Sequence, residues 1–223
     1  LVTTKKGKAG QKTAFSINSS YGVSQVAGKM KMMNTVQYLD MRRQAYANDK
    51  ITKYPANAYD INGIWDETRY TDWQDKLIGR TATNSLVQFS LSGGSEDTRF
   101  LISGSHNEQT TVFSDDFKYK TDNFSGTLSH HSRDNRFILN ASGLFSNQSN
   151  NLIQSEITSQ ALRLSPNAPA LYQPDGSLNW ENNTFTNPLA AYESTYSYKS
   201  KTFNTDINMQ YEFLPSVYVK VNG

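Results

Sequence analysis

Thr202-Phe203-Asn204-Thr205-Asp206-Ile207-Asn208-Met209-Gln210-Tyr211-Glu212-Phe213 is the stretch that decides the fold. Side chains of a β-strand point alternately to opposite faces. Here Phe203, Ile207, Met209, Tyr211 and Phe213 fall on one side, while Asn204, Asp206, Asn208, Gln210 and Glu212 fall on the other. An unbroken row of polar and acidic groups does not fit a dry core, where each unpaired group costs roughly 2–7 kcal/mol. One face of this strand is therefore wet, and the other is uniformly greasy.

The same period-two pattern recurs along the chain. Phe15, Ile17, Tyr21 and Val23 alternate with Ser16, Asn18, Ser20 and Gly22. Val87, Phe89 and Leu91 alternate with Gln88, Ser90 and Ser92, with Leu86 an apolar exception on the polar side. Residues 98–107 set Phe100 and Ile102 against Arg99, Leu101 and Ser103, and 119–130 set Phe124, Gly126 and Leu128 against Asn123, Ser125, Thr127 and Ser129. Residues 136–146 offer Phe137, Leu139, Ala141 and Phe145 against Arg136, Asn140 and Ser142, and a seventh strand starts with Val217, Val219 and Val221.

The connections sort by length. Short turns at 93–97, 131–135 and 214–216 alternate with long links at 24–84, 108–118 and 147–201. A membrane barrel sorts its connections in this way, with short periplasmic turns and longer extracellular loops. Residues 34–46 read as a short helix packed on a loop, capped by Asn34, with Val36, Tyr38, Leu39, Met41 and Tyr46 at near-helical spacing. Residues 152–164 read as a second short helix before Pro166, and Pro174-Asp175-Gly176 as a tight turn.

Composition agrees with a wet barrel. The hydrophobic fraction is 36% and the mean hydropathy -0.65, yet aromatics reach 12%, which no disordered chain needs. A polar lumen and an aromatic exterior reconcile these numbers. The 22 basic and 20 acidic residues nearly cancel, leaving no footprint for nucleic acid. With no cysteine, a disulfide framework, a thiolate metal site and a cysteine nucleophile are all excluded within this chain. Leu1 opens a β-like run without an initiator Met or signal peptide, and 217–223 stop inside another such run. The expectation is a piece of a longer protein.

Residue types that carry chemistry are present but not convergent. His130 and His131 are adjacent on a strand and so point apart; with only His106 besides, no three- or four-ligand metal centre follows. Asp60-Ile61-Asn62-Gly63 with Asp66-Glu67 lacks the alternate-position ligands of a calcium loop and reads as a solvated turn. Asp72, Asp75, Asp115, Asp116 and Glu181 show no spacing that singles out an acid and a nucleophile. No serine elbow, phosphate-cradling glycine loop or HExxH motif occurs. The reading is no enzyme, no cofactor and no catalytic residue. Trp65, Trp73 and Trp180 all lie in the long links, where packing within the loops is the first assignment and stacking on a sugar the second. No substrate-binding residue is named from these patterns.

Several landmarks together resemble the SusC/RagA family of TonB-dependent transporters. They are Leu1-Val2-Thr3-Thr4-Lys5-Lys6-Gly7-Lys8 leading to Ser19-Ser20-Tyr21-Gly22-Val23; Gln37-Tyr38-Leu39-Asp40-Met41-Arg42-Arg43; Thr71-Asp72-Trp73-Gln74-Asp75 with Arg80-Thr81-Ala82; Leu91-Ser92-Gly93-Gly94-Ser95-Glu96-Asp97-Thr98-Arg99-Phe100; and Tyr172-Gln173-Pro174-Asp175-Gly176-Ser177. Their order across nearly the whole chain carries the match.

The resemblance implies an all-β fold, an antiparallel transmembrane barrel of about 22 strands around a plug. Residues 1–10 would end the plug, and 11–223 would form the first seven or so strands, with short helices in long extracellular loops. It further implies import of a glycan or peptide across the outer membrane of a Gram-negative, Bacteroidetes-like bacterium. The implied partners are a SusD-like surface lipoprotein, the TonB complex reached through an N-terminal segment outside this chain, and outer-membrane lipid. On this reading Phe15, Phe89, Phe100, Phe137, Phe203 and Tyr211 face lipid, while Asp206, Asn208, Gln210 and Glu212 face the lumen. The alternatives are a secreted soluble β-sandwich that binds glycans, whose alternation would look the same, and a porin- or adhesin-type barrel without a plug.

Overall fold

In a computed structural model, which describes Gly7 and residues 10–223, every alternating stretch becomes a strand. They are β1 (Ala14–Ser24), β2 (Ala82–Gly94), β3 (Thr98–Thr110), β4 (Lys118–His131), β5 (Phe137–Ile153), β6 (Thr195–Leu214) and β7 (Val217–Asn222). Each pairs antiparallel with its neighbours in sequence, giving a seven-stranded meander. Most of the expected plug end, residues 1–10, lies outside the described residues. Gly10 N–H donates to the Ser95 carbonyl and Gly94 N–H to the Gln11 carbonyl, so the chain enters β1 already held to the β2–β3 turn.

The register gathers most of the greasy positions on one face, with Leu86, Leu101, Ile138 and Leu144 on the other. Ile17 pairs with Phe89, Phe89 with Gly104, Gly104 with Phe124, Phe124 with Phe145 and Phe145 with Phe203, forming one row across six strands. Phe137 opposite Tyr211 and Phe100 opposite Leu128 belong to the same face. Among the described residues its large side chains stay open: Phe15 is 66% exposed and Phe203 70%. The opposite face carries hydroxyls and amides, with Ser16 bonded to Ser90 at 2.8 Å, Ser103 to Ser125 at 2.7 Å, and Asn123 donating to Ser105 at 3.2 Å. Among the described residues there is one sheet and no second sheet stacked on it, which removes the soluble-sandwich alternative.

The short turns gather at one end of the sheet and the long links at the other, as the lengths implied. All three long links are shorter than expected. Pairing between β5 and β6 continues from Asn147 opposite Lys201 to Ile153 opposite Thr195, so the third link is 154–194 rather than 147–201. The first link is 25–81 rather than 24–84, and the second is 111–117 rather than 108–118.

The core lies inside these links, not against the sheet. The first link carries α1 (Thr35–Asn48) and α2 (Trp73–Ile78); the third carries α3 (Thr158–Arg163), a 3-10 turn (Glu181–Asn183) and α4 (Ala190–Glu193). Asn34 caps α1 as expected: its side chain accepts from Gln37 N–H while the Gln37 side chain accepts from Asn34 N–H. The helix buries Leu39 but leaves Val36 and Met41 exposed, so its buried stripe is narrower than the spacing suggested. The second expected helix shrinks to Thr158–Arg163, because 152–153 still belong to β5. The turn at 174–176 forms, with Gln173 N–H donating to the Ser177 carbonyl and Gly176 at a φ of +87°.

Trp73, Leu77, Ile78, Ile157, Ala161, Ala168, Phe185 and Leu189 form one buried cluster drawn from the first and third links. Hydrogen bonds sew the same two links together. Trp65 Nε1 donates to Thr184 Oγ1, Trp73 Nε1 to the Ser165 carbonyl, Thr71 N–H to the Pro166 carbonyl, and Asn167 Nδ2 to the Asp60 carbonyl. The links thus make a lobe with its own core at one end of a sheet that has none.

Candidate functional site: the cavity where the long links meet

All three long links contribute walls to a cavity of about 570 Å³ at the end of the sheet. The first link supplies Thr71, Trp73, Lys76 and Arg80, the second Phe113, Ser114 and Asp116, and the third Leu171, Tyr172, Leu189 and Tyr192. Asp72 sets Trp73 in place by capping α2, its side chain accepting from Asp75 N–H. Tyr192 is fixed by its hydroxyl, which donates to the Phe113 carbonyl at 3.0 Å, and by edge-on contact with Phe117 at 4.9 Å between ring centroids. Burial pushes the Tyr192 phenol above its ordinary pKa, so it remains a neutral hydrogen-bonding group. Tyr172 is 54% exposed and is the ring most available to a ligand. Arg80 pairs with Asp115. Aromatic walls with a few polar groups suit a neutral, polyhydroxylated or amide-rich ligand.

A smaller cavity of about 250 Å³ opens beside it, lined by Met30, Met32, Met33, Met41, Tyr38 and Trp73 among others. The four methionines are 43–64% exposed. Behind them Asp60 joins α1 to the lobe, accepting from Tyr38 Oη at 2.8 Å and Arg42 Nε at 2.7 Å. Burial first, and then the hydrogen bond to Asp60, push the Tyr38 phenol up to about 12. The same carboxylate raises the Arg42 guanidinium, which stays charged. On the surface, Lys29 at 2.6 Å holds the Asp75 carboxyl below its usual range.

The carboxylates singled out in the sequence have structural partners. Asp60 serves Tyr38 and Arg42, Asp66 accepts from Thr68, Asp72 caps α2, Asp75 pairs with Lys29, Asp115 with Arg80, Asp116 accepts from Ser114, and Glu181 accepts from Asn179. His130 meets Thr98 Oγ1 at 2.7 Å, whereas His131 Nε2 lies 3.1 Å from the Glu96 carbonyl; the two side chains do diverge. Among the described residues no group of three or more metal-ligating side chains converges. Trp65 and Trp73 are committed to packing, as the first assignment had it, and Trp180 is 43% exposed outside the cavity. Tyr172 and Tyr192 were missed as wall residues, because nothing local in the sequence marks a tyrosine whose neighbours come from other links.

One exposed greasy face, one polar face of hydroxyls, amides and a few charges, and connections sorted by length together define a stretch of an antiparallel outer-membrane-type β-barrel. Comparison with known proteins narrows the class. No family model matches the chain. The chain is similar over 99% of its length to the TonB-dependent receptor P3 of Formosa agariphila, at 26% identity, and over 97% to the TonB-dependent receptor SusC of Bacteroides thetaiotaomicron, at 27%. It spans 21% and 23% of those relatives, about a fifth of each. Its fold matches solved structures of the RagAB peptide importer in the closed-closed and open-open states, each with a TM-score of 0.63, at 23% and 22% identity, covering 98% of this chain and 28% of that one. The chain is thus SusC/RagA-like along its whole length, with the fold of a TonB-dependent transporter barrel segment. The proteins it resembles are receptors and importers, not enzymes.

Proposed function

We propose that this chain forms barrel wall and extracellular loops of a TonB-dependent importer in the outer membrane of a Gram-negative bacterium, taking up a glycan oligosaccharide or a peptide. The observation that carries the reading is the height of the exposed apolar face. On β6 it runs from Phe203 to Phe213. Ten rises of ~3.3 Å give a path of about 33 Å. At a strand tilt of roughly 40° that path spans about 25 Å vertically, the height of a barrel's lipid-facing band. Where the apolar row stops, the sheet continues into the polar ends of β5 and β6 and then into the lobe, which sits outside the membrane on this reading.

The cavity walled by Trp73, Tyr172 and Tyr192 is then the first surface a substrate meets at the mouth. The neutral polar patch of Ser16, Asn18, Gln88, Ser103 and Asn123 lines the way inward. The exposed methionines around Met30 and Met41 offer an adaptable apolar contact to a SusD-like lipoprotein lid. Coupling to the TonB complex belongs to parts of the protein beyond this chain.

Orientation is the direct test. The chain has no cysteine, so a single cysteine placed in it is unique within this stretch, with any cysteine elsewhere in the protein first replaced by serine. In the full-length protein on intact cells, Ser177→Cys in the third link reacts with an impermeant maleimide, and Arg133→Cys in the β4–β5 turn reacts only after the outer membrane is permeabilised. The reverse pattern, or equal labelling, refutes the assignment. Loss of labelled-substrate uptake in Tyr172→Ala, with labelling and abundance unchanged, then locates the mouth site.

A further inference from the structure

On the greasy face, the row Phe124–Phe145–Phe203 is the last apolar one before the lobe. The next same-face positions are Asp122, Asn147 and Lys201, followed by Lys120, Ser149 and Lys199. The two carboxylates in this belt are already engaged. Asp122 accepts from His106 at 2.6 Å and from Asn147 at 3.0 Å, and Glu108 is paired with Lys120 at 2.7 Å. Lys199 and Lys201 are exposed, and among the described residues neither has an ion-pair partner. Two positions apart on one strand, they stand about 7 Å from each other on the same face.

Below them the wall is hollow. Gly126, Ala141 and Gly143 leave an almost wholly apolar groove of about 300 Å³, flanked by Phe100, Ile102 and Leu128. Gly143 pairs with Thr205, four positions along β6 from Lys201, or about 13 Å.

We propose that Lys199 and Lys201 bind the phosphorylated headgroup of an outer-leaflet glycolipid whose acyl chain lies in the groove at Gly126, Ala141 and Gly143. The inference rests on this face being the lipid-facing one. Two unpaired cations immediately above an apolar band fit an anionic headgroup by charge. The groove fits the chain by shape, and both are continuous with the membrane surface of the barrel.

Full-length transporter in detergent is titrated with diphosphoryl lipid A, with the same lipid after removal of its phosphates, and with inorganic phosphate. Each surface lysine accounts for about fivefold in affinity for an anionic headgroup, so a preference of roughly 30-fold for the phosphorylated lipid is expected, falling with added salt. Lys199→Gln with Lys201→Gln removes the preference, whereas Lys220→Gln, on the opposite face, keeps it. Gly143→Leu fills the groove, where a Cβ has only the Asn204 carbonyl at 4.0 Å, and weakens both lipids equally. Three results overturn the proposal: no preference in the parent protein, a preference retained by the double variant, or displacement of the lipid by millimolar inorganic phosphate. Heat-modifiable migration and recovery from the outer-membrane fraction separate the two levels. A folded outer-membrane barrel without the preference sinks only the lipid site, while a protein absent from that membrane sinks the lipid-facing reading as well.

Discussion

Replacing Ile207 with arginine tests the facing of the whole sheet, because its neighbour Asn208 supplies a matched control one residue away. Ile207 sits four rises from Phe203 and six from Phe213 on β6. With ~3.3 Å per rise and a tilt of roughly 40°, it lies about 10 Å below the upper edge of a band about 25 Å tall, close to the midplane. Its side chain is 48% exposed and pairs with Ala141, so no protein group solvates a guanidinium there. An arginine at that depth costs ~2–4 kcal/mol in the assembled barrel. Asn208 points to the other face, where its Nδ2 already donates to Asp206 at 2.6 Å. Asn208→Arg meets water and an acidic neighbour, and the change stays within about 1 kcal/mol. Phe203→Arg, at the band's edge, costs about 0–1 kcal/mol, well below Ile207→Arg although both lie on the same face. Urea titration of the full-length protein refolding into lipid bilayers measures all three. Equal losses for Ile207→Arg and Asn208→Arg, or a larger loss at 208, would refute the argument.

Other outcomes follow from the lobe and the sheet. Trp73→Ala removes the largest ring of the buried cluster and a bond to the Ser165 carbonyl, so the lobe loses ~3–5 kcal/mol while the strands persist, and limited proteolysis cuts 154–194 first. Tyr38 carries a pH signature: its phenol rises from an ordinary value near 10 to about 12, so its contribution is whole below pH 10 and is lost as pH climbs through 12. Hydrogen exchange over α1 should accelerate in that window, and Tyr38→Phe should flatten the change at a cost of about 1 kcal/mol. Gly104→Val collides with Phe89, because a Cβ on Gly104 already lies 2.6 Å from Phe89 Cζ. The ring must leave the row, and slower folding that Phe89→Ala relieves is the expected readout.

The strands were legible where their two faces differ in chemistry and illegible where they do not. β6 between Phe203 and Phe213 declares itself by alternation. Ser146-Asn147-Gln148-Ser149-Asn150-Asn151 is just as much a strand, paired residue for residue with 197–202, but both of its faces are wet and the period vanishes. Helix α2 left a trace in Asp72 and Asp75 at cap spacing, too short to stand apart from a polar turn. Of the lobe, the capped helix α1, the turn at 174–176 and the packing of the tryptophans were legible, but not how the links assemble. Trp65 meets Thr184 across 119 positions and Trp73 meets Ser165 across 92, and no local pattern encodes contacts at that separation. The cavity inherits this illegibility, since its walls come from three links.

Core and sheet are uncoupled in this protein, and that has a physical consequence for the mouth. A soluble sheet must spend its apolar face on its own interior. Here that face is left to the surroundings, so the sheet places no demand on the lobe for cover. The lobe in turn closes its own core around Trp73, Leu77, Ile157 and Phe185 and meets the sheet at Ile153, the last residue of β5, and at Val112, just past β3. Side chains that wall the cavity but do not enter that core, Tyr172 and Lys76 foremost, can therefore change without disturbing either body. Substitutions there should alter what is captured while leaving barrel folding untouched, whereas substitutions at Trp73 or Leu189, which belong to both the core and the wall, should damage capture and lobe stability together.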